Sequence, residues 1–409
     1  MKPIIKSLLD SDFYKYTMAN MIYQKGYADV HVKYTFTNRT KSINLADYIN
    51  PAELDSEFYS TQKLKFQDYE LKYLSDFFGK DFINAIQNIK LPDVNVIRTS
   101  NSINGKFAGI EVEGTWLNTI LWEIYILSTV NEKFNKSFLE QNCSKNNIFN
   151  DNLYFKALEN LQNTIKILNS EPGLRIIEFG TRRRFSYSWQ EFVIAYLQRE
   201  LGTQLFGTSN VNFAKKFGLE PSGTQAHELF MVYAALFNDD IEKAQKQLLD
   251  DWWEVYGFGY SIALIDTWGT DFFLKNFTRE QALNYLGLRQ DSGDPIEIGE
   301  KVVKFYRDNN IEPLYKRLVF SDGLDAEKVL NIYNHFKDKI GVAFGIGTNL
   351  TNNVGIPNLS IVVKATEANG KGLVKLSDNI SKAIGKTEDI EKYKKAIGYS
   401  SDFKEQPKY

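Results

Sequence analysis

Two glycine-containing segments in the second half of the chain have the composition of phosphate-binding loops. They are Ser321-Asp322-Gly323 and Gly345-Ile346-Gly347-Thr348, and each follows or overlaps the end of a short apolar run. Small residues let the backbone approach an anion closely, and amide groups at the start of a following helix bind phosphate without a cationic side chain. Glycines at such places also serve as ordinary turn residues, so either segment alone supports both interpretations.

Cationic side chains follow two other apolar runs. Three consecutive arginines, Arg182 to Arg184, come after one run, and Arg289 stands beside Asp291 and Asp294 after another. A planar guanidinium suits pyrophosphate or a carboxylate, and carboxylates beside it could hold sugar hydroxyls, or magnesium through its waters. The alternatives are that at least one arginine of the run lies on a solvated face, and that Arg289 and its neighbours form a structural ion pair.

His227 is the histidine with the surroundings of a reactive group. It lies in the segment Gly-Thr-Gln-Ala-His-Glu at 223–228, which favours a loop with an exposed imidazole that could act as acid, base or nucleophile. Most single histidines are structural, so the segment alone does not decide. His31 and His335 lie in segments without such features, and we assign them no role.

The elements that must position these residues repeat one pattern. From about residue 174 onward, short apolar runs end in polar loops and alternate with helical segments, which is typical of a parallel α/β barrel. The loops after the strands of such a barrel converge on one face, where ligands bind. The predicted strands are 174–177, 205–206, 261–265, a run at Leu288, 318–320 and 342–344. Nearer the N-terminus we predict helices at 8–23 and 71–89 and a strand at 30–37.

The composition disfavours several classes of protein. The 49 Lys and Arg nearly balance the 51 Asp and Glu, whereas nucleic-acid and membrane-surface binders usually show a basic excess. Cys143 is the single cysteine, which excludes an intramolecular disulfide framework and a cysteine-based zinc site. Charged residues interrupt any signal-peptide core, and the most apolar stretch, 117–130, is too short to span a bilayer and contains Glu123. We therefore expect a cytoplasmic protein without nucleic-acid or membrane partners.

Seven motifs, taken together, resemble those of the nicotinate phosphoribosyltransferase family. Each motif is weak alone, but they keep the family's order and the match extends from residue 10 to about residue 378. They are Asp10-Ser11-Asp12-Phe13-Tyr14-Lys15, Glu178-Phe179-Gly180-Thr181-Arg182-Arg183, Gly207-Thr208-Ser209-Asn210, Gly223-Thr224-Gln225-Ala226-His227-Glu228, Arg289-Gln290-Asp291-Ser292-Gly293-Asp294, Ser321-Asp322-Gly323-Leu324 and Phe344-Gly345-Ile346-Gly347-Thr348-Asn349.

The resemblance implies a reaction and a fold. Nicotinate and phosphoribosyl pyrophosphate would give nicotinate mononucleotide and pyrophosphate in NAD salvage, with magnesium accompanying the pyrophosphate. ATP hydrolysis would be coupled through a transient phosphohistidine, by position His227; since the imidazole must be neutral to attack the γ-phosphate, activity should fall at acid pH. The fold would be the type II phosphoribosyltransferase: an irregular parallel α/β barrel, residues 136–354, with a smaller α+β domain built from both chain ends, residues 1–135 and 355–409. A homodimer with shared active sites is expected.

The resemblance also assigns roles in binding the base. Phe179 and Tyr14 would sandwich the pyridine ring, with Tyr14 supplied by the partner subunit. Arg182 would contact the base or the neighbouring phosphates. An aspartate stands at the place of Ser209 in the related nicotinamide phosphoribosyltransferase and would repel a carboxylate, whereas Ser209 and Asn210 can donate to one. Nicotinate is therefore the predicted base, and nicotinamide is the alternative.

The remaining roles concern phosphates and the ribose. Arg39 would reach a phosphate from the partner subunit, and Arg289 and Asp291 would hold pyrophosphate and ribose hydroxyls. The residues expected to cradle the 5′-phosphate are Gly323, Gly345, Gly347 and Thr348. The competing interpretations are another barrel enzyme acting on a phosphorylated sugar, such as an aldolase or isomerase, and a catalytically silent binding barrel. No predicted strand end offers an evident lysine nucleophile for the former, and retention of Arg289, Asp291 and His227 argues against the latter.

Overall fold

A computed structural model describes residues 3–100, 105–143, 147–399, 401 and 403–404. The outermost positions of the predicted smaller domain, residues 1–2 and 405–409, therefore lie outside the described part. Its strands are β1 (His31–Asn38), β2 (Val94–Arg98), β3 (Phe107–Thr115), β4 (Ile176–Glu178), β5 (Leu205–Thr208), β6 (Glu220–Pro221), β7 (Ile262–Leu264), β8 (Gly287–Gln290), β9 (Arg317–Phe320), β10 (Gly341–Ile346), β11 (Ile361–Ala368) and β12 (Lys371–Gly372).

Helices connect and cover these strands. They are α1 (Phe13–Gln24), α2 (Pro51–Gln62), α3 (Asp68–Leu74), α4 (Lys80–Gln87), α5 (Trp116–Thr119), α6 (Trp122–Cys143), α7 (Asn147–Leu168), α8 (Tyr187–Leu201), α9 (Val211–Phe217), α10 (His227–Leu236), α11 (Ile241–Tyr256), α12 (Thr270–Asn276), α13 (Arg279–Asn284), α14 (Pro295–Asp308), α15 (Ala326–Phe336), α16 (Thr348–Thr351) and α17 (Thr387–Ile397). Within the described ranges, no helix is both long and apolar enough to cross a membrane.

A seven-stranded parallel sheet forms the larger layer, in the order β6-β5-β4-β10-β9-β8-β7. Its strands are short and mostly buried, as is usual for a parallel sheet. All six predicted strands of this region are present. The sequence missed β6, whose two residues are too short to make an apolar run. Among the described residues no ladder joins β6 to β7, so the irregular α/β barrel is a curved sheet with two open edges.

The second sheet is built from both ends of the chain, as predicted. Its order is β12-β11-β1-β3-β2, and its pairs are antiparallel. The longest ladder joins β1 to β11, with Val32 opposite Ala368 and Asn38 opposite Ile361. The predicted fold class is therefore confirmed: a parallel α/β layer and a smaller α+β part made from the two termini.

Two helix predictions in the N-terminal part are too long. The helix predicted at 8–23 begins only at Phe13, because the residues just before it are held against the larger sheet; Ser11 O, for example, accepts from Val211 N at 3.0 Å. The helix predicted at 71–89 is two helices, with α4 starting after Gly79 in extended conformation. The late start of α1 matters for function, since the extended residues before it direct the beginning of the helix toward the carboxyl ends of the parallel strands.

Candidate active site

The carboxyl ends of the parallel strands open onto one cavity that the smaller sheet also borders. Eleven of the twelve predicted site residues line it: Tyr14, Arg39, Phe179, Arg182, Ser209, His227, Arg289, Asp291, Gly323, Gly347 and Thr348. These residues come from eight different segments of the chain, which the convergence of loops in a parallel α/β fold brings together. Their convergence is what the sequence predicted, and their individual roles stay predictions.

Gly345 is the predicted site residue that does not line the cavity. It lies inside β10, and a Cβ atom added to it would meet the ring of Phe179 at 2.4 Å. Gly347, two residues further along the chain, does line the cavity and lies close to the backbone of Phe179 instead. The absence of a side chain at Gly345 therefore makes room for an aromatic ring rather than for an anion.

Tyr14 and Arg39 belong to the same chain as the rest of the cavity. The expectation that a partner subunit supplies Tyr14 and Arg39 to a shared active site stays a prediction. The segment before Tyr14 is pinned to the parallel sheet through the bridge between Asp12 and Asn210, so Tyr14 enters the cavity of its own chain. Arg39 follows β1, and its guanidinium donates to Lys382 O at 3.1 Å on the opposite wall.

The three consecutive arginines have different surroundings. Arg182 lines the cavity with about a third of its side chain exposed, and Arg183 lines it as well. Arg184 is fully buried away from the cavity, where its two terminal nitrogens donate to the carboxylate of Asp10 at 2.6 and 2.9 Å and its Nε donates to Glu132 at 2.7 Å. Arg184, which buried carboxylates compensate, does not lie on a solvated face, and Arg182 and Arg183 face the cavity.

His227 is the first residue of α10 and is 3% exposed, so the expectation of an exposed imidazole in a loop is wrong. Its Nδ1 lies 3.2 Å from Thr267 Oγ1 and 3.7 Å from Asp266 Oδ1, on the side away from the cavity. Its Nε2 lies 2.8 Å from Lys375 Nζ and 3.1 Å from Asp291 Oδ2, which both line the cavity. The reactive edge of the ring therefore faces the cavity.

Electrostatics keep this imidazole neutral. Burial, together with the neighbouring Lys375 ammonium, lowers the pKa of His227 to about 4, although Asp266 and Asp291 oppose the shift. Burial likewise lowers the pKa of Lys375 to about 8. When Lys375 donates to Nε2, the ring proton must sit on Nδ1, where Thr267 Oγ1 can accept it. A neutral ring with a lone pair at Nε2 is the form of histidine that can act as a nucleophile.

Three potential metal ligands meet beside this histidine. Ligand atoms of His227, Asp266 and Asp291 lie within 4.8 Å of one another, and Asp266 Oδ1 is buried without a hydrogen-bond partner among the described residues. The Lys375 ammonium, however, lies 2.8 Å from the histidine and 3.7 Å from Asp266 Oδ2. The ammonium of Lys375 thus already provides a positive charge among these groups, which favours an anion-binding site over a metal site.

The neighbourhood of Ser209 differs from what the sequence predicts. Its hydroxyl donates to Asp12 Oδ1 at 2.8 Å, and Asp12 itself lines the cavity. Burial raises the pKa of Asp12, an effect that the Arg182 charge opposes. The amide of Asn210 donates to Asp10 at 2.8 Å, and its oxygen caps α9 by accepting from Phe213 N. Neither side chain is therefore directed at a substrate in this arrangement.

Lysines form a part of the cavity for which the sequence assigned no roles. Lys364 in β11, Lys375 and Lys382 all line it. Lys382 pairs with Asp322 and donates to Asp291 O at 3.2 Å. These lysines come from the smaller sheet and the segment after it. They do not follow strands of the parallel sheet, so the pattern of polar loops after apolar runs could not predict them. The resemblance extends to about residue 378 and so covers Lys364 and Lys375, which was the available signal for these two.

The charges of the cavity are strongly unequal. Its walls include three aspartates, Asp12, Asp291 and Asp322, and seven cationic side chains: Arg39, Arg182, Arg183, Arg289, Lys364, Lys375 and Lys382. Asp294, which the sequence places beside Arg289, instead caps α14 by accepting from two backbone amides. Such an excess of positive charge in a concave site attracts a ligand with several negative charges.

Known proteins agree with this geometry over nearly the whole chain. Residues 9–131 match the model of the nicotinate phosphoribosyltransferase (NAPRTase) N-terminal domain, and residues 174–399 match that of the nicotinate phosphoribosyltransferase (NAPRTase) family. The structure of nicotinate phosphoribosyltransferase from Porphyromonas gingivalis is similar, with 29% identity, a TM-score of 0.85 and coverage of 97% of this chain and 100% of that one.

Two further solved structures are similar to the same extent. Nicotinate phosphoribosyltransferase from Vibrio cholerae is 30% identical over 98% of this chain and 95% of its own, with a TM-score of 0.86. A putative nicotinate phosphoribosyltransferase from Saccharomyces cerevisiae is 31% identical over 98% of this chain and 100% of its own, with a TM-score of 0.84. Family models, identity and coverage agree, so the chain belongs to the nicotinate phosphoribosyltransferase family.

Proposed function

We propose that the protein transfers a phosphoribosyl group from phosphoribosyl pyrophosphate to nicotinate, and couples this transfer to ATP through phosphorylation of His227. The observation that carries the proposal is the single cavity in which a neutral buried imidazole, two aromatic side chains and an excess of cations meet. Family membership supports the transfer itself. The coupling to ATP rests on the surroundings of His227.

The base would stack between Phe179 and Tyr14, which both border the cavity. A pyridine ring is electron-poor, and offset stacking contributes about 0.5–1.5 kcal/mol per good aromatic pair. The hydroxyl of Tyr14 is buried without a hydrogen-bond partner among the described residues. Since buried polar atoms are normally paired, a bound substrate that reaches this hydroxyl would supply its missing partner.

The phosphates fit the cationic walls and the glycine loops. Gly323 has a φ of +55°, which opens the backbone between β9 and α15, and Gly347 and Thr348 start α16. Arg289 lines the same part, and its Nε has no hydrogen-bond partner among the residues described. Guanidinium groups and exposed amides together recognise phosphate and pyrophosphate.

Asp291 and Asp322, the two cavity carboxylates that follow β8 and β9, would hold magnesium through its waters, since Lys382 already pairs with Asp322. Oxygen ligands suit this ion, which usually binds through one or two carboxylates and the phosphates of the substrate. Asp291 also accepts from Ser321 Oγ at 2.8 Å, so its carboxylate has a defined orientation. When bound, magnesium would neutralise charge on the pyrophosphate group.

The chemistry requires positioning rather than a general base. The pyridine nitrogen has a free lone pair and forms the new bond to the anomeric carbon, while pyrophosphate leaves with the electron pair of the broken C–O bond. Orientation and preorganised charge lower the barrier of such a step. Arg289 and Asp291 orient the sugar and pyrophosphate, and the aromatic pair orients the base.

Coupling to ATP uses the cavity-facing edge of His227. Nε2 would attack the γ-phosphorus of ATP, forming a P–N bond as ADP leaves, and water would later release phosphate. Thr267 Oγ1, at 3.2 Å, can accept the proton on Nδ1, and Lys375 is close enough to contact the transferred group. The energy of this hydrolysis would raise affinity for the two substrates and draw the transfer toward product.

Nicotinamide is the alternative base, and one observation favours it. Asp12 stands within hydrogen-bonding distance of Ser209, so a carboxylate is present at the place where the sequence argument assumed none. A substrate carboxylate there requires Arg182 as a counter-charge or a protonated Asp12, whereas an amide could donate to Asp12 directly. Family membership outweighs this, and nicotinate remains the proposed substrate.

The deciding experiment measures mononucleotide formation by the purified protein from phosphoribosyl pyrophosphate and magnesium. Nicotinate and nicotinamide are supplied separately, each with and without ATP, and His227→Ala is assayed in parallel. We expect nicotinate mononucleotide, with stimulation by ATP only where His227 is present. Product from nicotinamide but not from nicotinate would favour nicotinamide as the substrate. Stimulation by ATP in His227→Ala would refute the phosphohistidine. No product from either base would refute phosphoribosyl transfer by this protein.

A further inference from the structure

Glu123 is the one charged residue in the most apolar stretch of the chain, 117–130, and the proposed reaction does not use it. It lies in the first turn of α6 and is 1% exposed. Moving a carboxylate from water into the interior costs several kcal/mol unless cations and hydrogen bonds compensate it. A carboxylate in this position must therefore have strong partners.

Those partners are three cations from three separate segments. Lys15 Nζ of α1 lies 2.6 Å from Glu123 Oε2, and Lys364 Nζ of β11 lies 2.9 Å from Glu123 Oε1. Arg182 Nη1, after β4, lies 3.7 Å from the same oxygen Oε1. Lys15 is itself buried and also pairs with Glu228, the residue after His227, at 2.7 Å.

Two of these cations, Arg182 and Lys364, line the proposed substrate cavity. Among the residues that the structure describes, Glu123 is the only carboxylate within 4 Å of either one. Like charges repel, and burial opposes the charge on Lys364, lowering its pKa. One carboxylate oxygen thus holds two cations side by side that would otherwise separate or lose a proton.

We propose that Glu123 is a positioning residue that presents Arg182 and Lys364 together to an anionic group of phosphoribosyl pyrophosphate. This inference rests on the proposed function. Phosphoribosyl pyrophosphate carries more negative charge than nicotinate, so its binding depends more on a paired cation site. Glu123 does not itself touch the cavity surface and acts through the two cations.

The proposal makes a prediction of definite sign. If charge alone mattered, Glu123→Gln would remove a negative charge near the cavity and strengthen the binding of an anion. If Glu123 positions the cations, the same variant lets Arg182 turn away and leaves Lys364 uncompensated, so binding weakens. Losing one charge-assisted contact weakens binding about tenfold or more.

The same helix provides a matched control. Glu132 is also in α6, is also largely buried, and pairs with an arginine of the same run, Arg184 Nε, at 2.7 Å. Arg184 does not line the cavity. Glu132→Gln therefore removes a comparable ion pair without touching the substrate-facing cations, and Glu123→Asp tests whether a carboxylate restores the function.

The experiment measures binding of phosphoribosyl pyrophosphate with magnesium by calorimetry, KM and kcat for both substrates, and the thermal unfolding temperature. We expect Glu123→Gln to raise the Kd and KM for phosphoribosyl pyrophosphate about tenfold or more, with kcat changed less, and Glu123→Asp to recover part of the loss. Glu132→Gln should lower the unfolding temperature but keep both constants within about twofold of wild type.

Two results would overturn the proposal: unchanged or tighter binding in Glu123→Gln, or equal weakening in Glu132→Gln. Should Glu123→Gln not fold, the double variant Glu123→Gln with Lys15→Met is measured instead, because it lowers the excess of buried positive charge. The same loss of affinity for phosphoribosyl pyrophosphate is expected. Wild-type protein that binds phosphoribosyl pyrophosphate but forms no product would refute the proposed function, and the binding constants of the Glu123 and Glu132 variants could still be compared. Absence of wild-type binding would refute both.

Discussion

The substitution Gly345→Ala separates two roles for a glycine that the sequence placed in a phosphate cradle. The new Cβ would lie 2.4 and 2.5 Å from Cδ2 and Cε2 of Phe179, whereas carbon atoms in contact normally lie about 3.5–4.0 Å apart. The ring must therefore move by about 1 Å. Phe179 is half-buried, so it can move only toward the cavity, where the proposed pyridine ring stacks.

The magnitude follows from what this movement disrupts. A lost aromatic stack of about 0.5–1.5 kcal/mol corresponds to a rise of about twofold to tenfold in the KM for nicotinate. Overpacking should also cost about 1–3 kcal/mol of unfolding free energy. The KM for phosphoribosyl pyrophosphate should stay near the wild-type value, because Gly345 does not line the cavity.

Steady-state kinetics with each substrate varied in turn, together with urea denaturation, measure both effects. Gly109→Ala is the control, since a Cβ there meets Ile97 at an ordinary 3.6 Å, and it should leave both KM values unchanged. A rise in the KM for phosphoribosyl pyrophosphate with an unchanged KM for nicotinate would refute this explanation and indicate that Gly345 contacts the phosphate.

Four other perturbations have defined outcomes. Arg184→Met leaves Asp10 buried without its counter-charge and should cost about 3–5 kcal/mol of unfolding free energy in urea denaturation, with unchanged KM values; a loss below about 1 kcal/mol would contradict the buried ion pair. Stimulation by ATP should be equal at pH 5.5 and 7.5, because the pKa of His227 is lowered to about 4 and the ring stays neutral over this range; an unshifted histidine would lose about tenfold at pH 5.5, so such a loss in the pH–rate profile would count against the buried neutral ring. Lys375→Met removes the ammonium beside the imidazole, which raises the pKa of His227 and should move the acid limb of the stimulation toward neutral pH; an unmoved limb would exclude Lys375 as a cause. Active sites shared between subunits, as the resemblance implies, require specific activity to fall on dilution to single chains, as followed by sedimentation; unchanged activity would show that the Tyr14 in the cavity of its own chain is sufficient.

The parallel layer was largely predictable because its signal is local. A buried parallel strand is a continuous apolar run, and a polar loop marks its carboxyl end, so six strands could be read from the sequence. β6, with Glu220 and Pro221, has no such run. The start of α1 was misplaced for a different reason: residues before Phe13 have helical periodicity but are held by contacts with the loop after β5.

Site residues on strand ends were predictable for the same local reason, and those defined by long-range contacts were not. Motif order identified His227 and Asp291, which are 64 positions apart, as members of one site. Lys375 and Lys382 come from the segment after the smaller sheet, and only the packing of that segment over the strand ends places them in the cavity. The partner of Ser209, Asp12, could not be read from spacing.

Residue types and motif order by themselves determined the family, the parallel α/β class and the set of side chains that could bind an anionic sugar and a base. Tertiary structure alone decided that His227 is buried and neutral, that Arg182 faces the cavity while Arg184 is compensated inside, and that Tyr14 lines the cavity of its own chain. The physical reason is that apolar periodicity and turn chemistry act over a few residues, whereas burial, charge compensation and pKa depend on groups brought together from distant parts of the chain.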